Sequence, residues 1–179
     1  MVSFLNAKIS LSNKVHHITT NYVWYTRELL MANYLQTNNI NEVQIKVQES
    51  IIDLADVLGY YYGKDAGNES SYLLTNFLFS AIATIEVLND PNNYNNALST
   101  WQASGTSIGQ LLKKTTNHDI EPLIQQHINT TLEEAQSLSQ SDWSTAVIDF
   151  YNVEIVTQNM SNAIVDAISN NQGLLMRCI

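Results

Sequence analysis

The string LGYYYGKDAGN at residues 58–68 constrains this chain more than any other stretch. It lies between two long segments whose apolar residues recur every three or four positions, so it reads as a tight corner joining two antiparallel helices. Gly63 can take the left-handed backbone that stops a helix, and Asp65 can cap the next by accepting its first free N–H groups. Gly59 and Gly67 present no side chain to hold neighbouring backbones apart, which suits a close crossing better than it suits helix propensity.

The same spacing recurs on both sides of the corner. A first helix is expected from residue 13, with Val15, Ile18, Tyr22, Tyr25, Leu29 and Ala32 on one stripe. The second carries Val43, Val47, Ile51, Leu54, Leu58 and Tyr61. The third follows Asp65 with Leu74, Phe77, Ala81, Ile85 and Leu88, and Asn89, Asp90 and Pro91 end it, because proline cannot continue a helix. A fourth shows Leu98, Trp101, Gly105, Ile108 and Leu112, where an inward glycine points to a close helix crossing. A fifth is capped by Asp119, tolerates Pro122 in its first turn and carries Ile124, His127 or Ile128, Thr131, Ala135 and Leu138. The sixth starts at Ser141 or Asp142, places Trp143, Val147, Phe150, Val153, Thr157, Met160, Ile164 and Ile168 inward, and closes at Gln172 and Gly173.

Nothing has the period of a strand with turn chemistry at its ends, so the expected class is all-α: an up-and-down antiparallel bundle of about six helices. The helices pair as three hairpins spaced about fifty residues apart, with Tyr22, Phe77 and His127 at matching places, a pattern consistent with a duplicated α-hairpin. Residues 1–12 are expected to form an N-terminal arm, residues 13–171 a single bundle and residues 172–179 a tail.

Composition narrows the function classes. A formal charge of −9 with eight Lys and Arg spread thinly leaves no basic stripe for a phosphate backbone or an anionic bilayer, so neither nucleic acid nor membrane is an expected partner. No apolar run approaches the roughly 20 residues of a membrane span, and residues 1–12 lack the basic start and apolar run of a signal peptide. Cys178 is the single cysteine, which excludes an intramolecular disulfide and a multi-cysteine zinc site. A cytoplasmic protein is expected.

Few side chains offer chemistry. His16 and His17 are adjacent and point about 100° apart on a helix, so they cannot chelate one ion together. His118 stands in a polar linker. His127 lies on an apolar stripe, where a buried, hydrogen-bonded imidazole competes with a ligating one, and Glu154 on the sixth helix could face it across the bundle. No Glu-x-x-His pair of the kind used by dimetal bundles occurs, and nucleophile motifs, phosphate loops and dinucleotide fingerprints are absent. Neither a cofactor nor a catalytic residue is expected.

The chain resembles a family of uncharacterised all-helical bundle proteins of bacterial type. That family carries His-Val-x-x-Thr-Arg in its first helix, matched here by Tyr22, Val23, Trp24, Tyr25, Thr26 and Arg27. Its Tyr-Tyr-Gly-x-x-Ala-Gly-Asn corner is matched by Tyr61, Tyr62, Gly63, Lys64, Asp65, Ala66, Gly67 and Asn68. It has histidine where Phe77 stands, keeps the equivalent of His127 with Thr130 and Thr131 after it, and has an Asp-Trp matching Asp142 and Trp143, while Glu154 and Val156 replace its last histidines. The likeness runs over residues 21–168 and implies a retained scaffold from which most inward histidines are gone.

Two functions are therefore expected in competition. One is a non-enzymatic bundle acting through a protein partner or self-association. The other is a ligand-binding bundle whose inner cavity is lined by Tyr22, Phe77, His127 and Glu154, with His127 and Glu154 as its candidate metal ligands.

Overall fold

The apolar spacing resolves into six helices among the described residues, which run from 2 to 170 in this computed structural model, with side chains described from residue 5. They are α1 (Val2–Leu35), α2 (Ile40–Tyr62), α3 (Lys64–Glu86), α4 (Tyr94–Thr116), α5 (Glu121–Ser139) and α6 (Trp143–Asn170). No strand occurs among those residues. Each helix packs against the next, and α1 closes the circle on α6 with a smaller contact to α5. The protein is an all-α bundle.

The corner at Gly63 is tighter than expected. Gly63 adopts φ 98° and ψ 161°, a region that essentially only glycine occupies, and it serves both helices at once. Its N–H donates to the Gly59 carbonyl at 2.9 Å, and its own carbonyl accepts from the Gly67 N–H at 3.1 Å. Because that carbonyl already opens the next hydrogen-bond ladder, α3 begins at Lys64. Asp65, expected as the cap, instead lies inside the first turn, where its charge still favours the helix N-terminus. The two backbones cross at Gly59 and Gly67: a Cβ on Gly67 would lie 2.8 Å from the Gly59 Cα.

The other corners use different devices. Asp90 accepts from the Asn92 N–H and the Asn93 side chain at 3.0 and 2.7 Å, and the Asn93 contact above all holds its carboxyl below the usual range. Asn117 ends α4 with a left-handed φ of 60°. Asp119 again is not the cap expected of it. Ile120 occupies that place, while Asp119 pairs with Lys113 at 2.8 Å and accepts from the Glu121 N–H at 3.3 Å. Asp142 does cap α6, through the Thr145 N–H and hydroxyl at 3.1 and 2.7 Å.

The core takes most of the predicted stripes. Val43, Val47, Ile51 and Leu58 of α2, Trp101, Ile108 and Leu112 of α4, and Ile124, Ile128 and Leu138 of α5 are all buried. Gly105 and Gly109 let α4 lie on α5, for a Cβ would stand 3.0 Å from Ile124 and Ile128 at the first and 2.6 Å from Glu121 at the second. One expectation fails at the start of the chain. The predicted arm is the start of α1: Leu11 and Val15 extend the buried stripe, and Lys8 pairs with Asp166 of α6 at 3.0 Å. Exposed Leu5 and Ile9 on the outer side of that helix disguise its period. The expected close of α6 at Gln172 and Gly173, and the expected tail, lie outside the described residues.

On α6, Trp143 and Val147 point outward rather than inward. The helix carries two apolar stripes. Ala146, Phe150, Val153, Thr157, Ile164 and Ile168 face the core, while Trp143, Val147, Ile148, Tyr151 and Ile155 face solvent.

Candidate functional site

Tyr22, Phe77 and His127, at matching places in the three leading helices, meet on the bundle axis. Each comes from the buried side of its helix, α1, α3 and α5. The His127 ring lies 5.7 Å from that of Tyr22 and 6.4 Å from that of Phe77, and is 1% exposed. A cavity of about 60 Å³ adjoins them, and all six helices contribute to its wall, among them Ser50, Ile108 and Met160.

His127 is held at both nitrogens. The Thr157 hydroxyl is 3.2 Å from Nδ1 and the Tyr22 hydroxyl 3.4 Å from Nε2. Neutral imidazole has one donor and one acceptor nitrogen, and a hydroxyl can answer either. Burial pushes the His127 pKa down to about 4, so the ring is uncharged at neutral pH, and burial pushes the Tyr22 phenol up to about 12.

Glu154 does not join it. That residue is half-buried and lines a smaller hollow of about 40 Å³, which shares Thr19 and Thr157 with the axial cavity but not His127. Glu154 shares that hollow with Thr19, Thr20 and Val23 of α1, and its charge also acts on Glu134 of α5. Among the described residues no three His, Cys, Asp or Glu side chains converge on one point, so the axial site offers a metal one imidazole with two hydroxyls already on it. Protein purified without a tag is accordingly expected to hold much less than one equivalent of any transition metal, and His127→Ala to leave the content unchanged. Elemental analysis that found one ion per chain, lost on that substitution, would overturn this.

A second polar group lies nearby. Glu134 of α5 is 1% exposed and sits 3.3 Å from the Arg27 Nη1 of α1, whose guanidinium lies 4.1 Å above the Phe150 ring. Burial, only partly offset by Arg27, raises the Glu134 pKa to about 7. Sequence reading missed this pair because Arg27 and Glu134 are 107 positions apart and each has ordinary polar neighbours.

It also missed the outer face of α6. Val147, Ile148 and Tyr151 are each about 60% exposed, with Trp143 and Ile155 at either end. Trp24 of α1 borders the face and packs edge-on to Phe150 at 5.0 Å, and Tyr34 packs on Trp143 at 5.8 Å. The signal was present in the sequence. Too many apolar residues fall in residues 143–155 for one stripe, and a helix hydrophobic on opposite sides is covered on both.

No protein-family model, curated protein or solved structure matched this chain when it was compared with them.

Proposed function

We propose that this bundle is a non-enzymatic interaction protein that docks an amphipathic segment of a partner, one with basic residues beside its apolar stripe, on the outer face of α6. The observation that carries this reading is the contiguous exposure of Trp143, Val147, Ile148, Tyr151 and Ile155 beside Trp24, since apolar patches of that kind mark interaction surfaces. A partner helix laid along the face would bury side chains at one-turn intervals. Charge decides between partners. Residues 121–170 hold seven Asp and Glu and no Lys or Arg. A second copy would bring the same acids together, and anionic headgroups or a phosphate backbone would be repelled, whereas flanking Lys and Arg would be drawn in.

A synthetic Leu/Lys amphipathic helix is the probe, read by the fluorescence of the exposed Trp24 and Trp143. The expected result is saturable binding, weakened at least tenfold in Ile148→Glu/Tyr151→Glu, two exposed sites whose change should leave the fold intact. A scrambled peptide of equal charge should bind no better than to that variant. Equal binding of both peptides would reduce the effect to charge alone and overturn the reading, as would a concentration-dependent dimer abolished by the same double change.

A further inference from the structure

A second cavity, of about 120 Å³, shares Tyr22 with the axial one but not His127; it lies between α1, α2 and α3 and reaches Trp101 of α4 and Thr131 of α5. Trp101 and Thr131 are each 1% exposed, yet the indole Nε1 and the Thr131 hydroxyl have no hydrogen-bond partner among the described residues. This sets Thr131 apart from its neighbours. Thr84, Thr116 and Thr130 are also buried, and each donates its hydroxyl to a backbone carbonyl one turn back, at 2.6 to 3.1 Å. A buried donor left without an acceptor costs free energy, and the Thr26 hydroxyl on the same wall also lacks a partner among the described residues, so these donors call for an acceptor there.

We infer that this cavity binds a small neutral molecule made of a hydrogen-bonding oxygen on a compact apolar body, with the oxygen between Trp101 and Thr131 and the body against Leu29, Leu78 and Ile82. The inference is independent of the docking face on α6. Size follows from volume: an apolar cavity of about 150 Å³ accommodates the six carbons of benzene, so one of about 120 Å³ encloses about five non-hydrogen atoms, and a sixth or seventh extends toward the mouth. The indole N–H can only donate, which requires an acceptor on the ligand, while the Thr131 hydroxyl can accept a hydrogen bond from it or donate one. Charge is excluded at both signs. No cation lines the wall to hold an anion, and exposed Glu86 at the rim repels one, while the inner end has no carboxylate for a cation. Asn33 and Gln44, half-buried beside Glu86, form a polar mouth. Water is the competing occupant.

Phenol, toluene and benzoate separate these cases, because they share a ring and differ in the oxygen and its charge. The three tryptophans give three indole N–H signals in a proton–nitrogen NMR spectrum, and Trp24→Phe and Trp143→Phe identify two, leaving Trp101. Phenol is expected to shift the Trp101 signal saturably, toluene to bind at least tenfold more weakly and benzoate not at all. Thr131→Val keeps the shape and removes the hydroxyl, and should weaken phenol about fivefold. Ile82→Trp should fill the body site and abolish binding; if that variant does not fold, Thr131→Val decides. A Trp101 signal unmoved by phenol, with water alone in the cavity, would overturn the inference. So would equal affinity for toluene and phenol, or a phenol response confined to Trp24 and Trp143.

Discussion

Gly67→Leu is expected to lower the stability of the bundle by about 3 kcal/mol, the upper end of what overpacking costs, and to shift a urea midpoint accordingly. Even the first atom of the new side chain would stand 2.8 Å from the Gly59 Cα and 3.3 Å from the Ala55 carbonyl oxygen. Both are backbone atoms of α2, so relief requires the helices to separate along the whole hairpin. Gly63→Ala fails for another reason. Nothing lies within 4 Å of a Cβ there, but φ is 98°, and a non-glycine residue in that region costs about 1–3 kcal/mol. An unchanged midpoint for Gly67→Leu would show that the crossing can open without loss.

His127 and Glu134 are expected to give stability two opposing dependences on pH. The pKa of His127 falls from 6.5 to about 4 on folding, so between those values the unfolded chain binds a proton that the folded one refuses, and stability rises with pH. That of Glu134 rises from 4.5 to about 7, so across that window the folded chain keeps a proton the unfolded one has released, and stability falls as pH rises. Where the windows overlap, from pH 4.5 to 6.5, the two nearly offset and these residues leave the wild-type profile close to flat. Removing either group exposes the other. His127→Gln should be about 2 kcal/mol less stable at pH 6.5 than at 4.5, and Glu134→Gln about 2 kcal/mol more stable, since a tenfold change in proton affinity is worth roughly 1.4 kcal/mol. Denaturant melts of both variants across this range check the signs; parallel profiles would refute the account.

Local chemistry was the legible part of this chain. The Gly63 stop, the Asp142 cap, the Asn89 to Pro91 break and the inward Gly105 each declare themselves within a few residues, and so the six helices can be drawn from the sequence. The convergence of Tyr22, Phe77 and His127 followed from their matching register in three hairpins. What stayed hidden depends on neighbours in space. Leu5 and Ile9 blurred the start of α1 because they lie on its solvent side, and Trp143 and Val147 counted as core because α6 is apolar on two faces. Glu154 could be placed on α6 but not in the hollow it shares with α1, since a modest rotation of the helix decides which neighbour it meets. Trp101 and Thr131 looked like ordinary core, and only the cavity between them makes their unanswered protons conspicuous.

The circular closure of the bundle also governs how it comes together. Contacts between successive helices join parts of the chain already close along it, so they cost little loop entropy and form early. The meeting of α1 with α6 is different, because it ties residues such as Lys8 and Asp166, 158 positions apart. That seam closes the longest loop in the bundle, so it is expected to be the last to form. His16 and Ser161 lie along it, and Arg27 of α1 reaches past it to Glu134 of α5, so the bundle's buried charge pair fastens α1 beside the seam. Trp24 and the outer face of α6 straddle the same seam. A partner laid across both helices would therefore act as a clasp, slowing the opening of the bundle while touching little of its core.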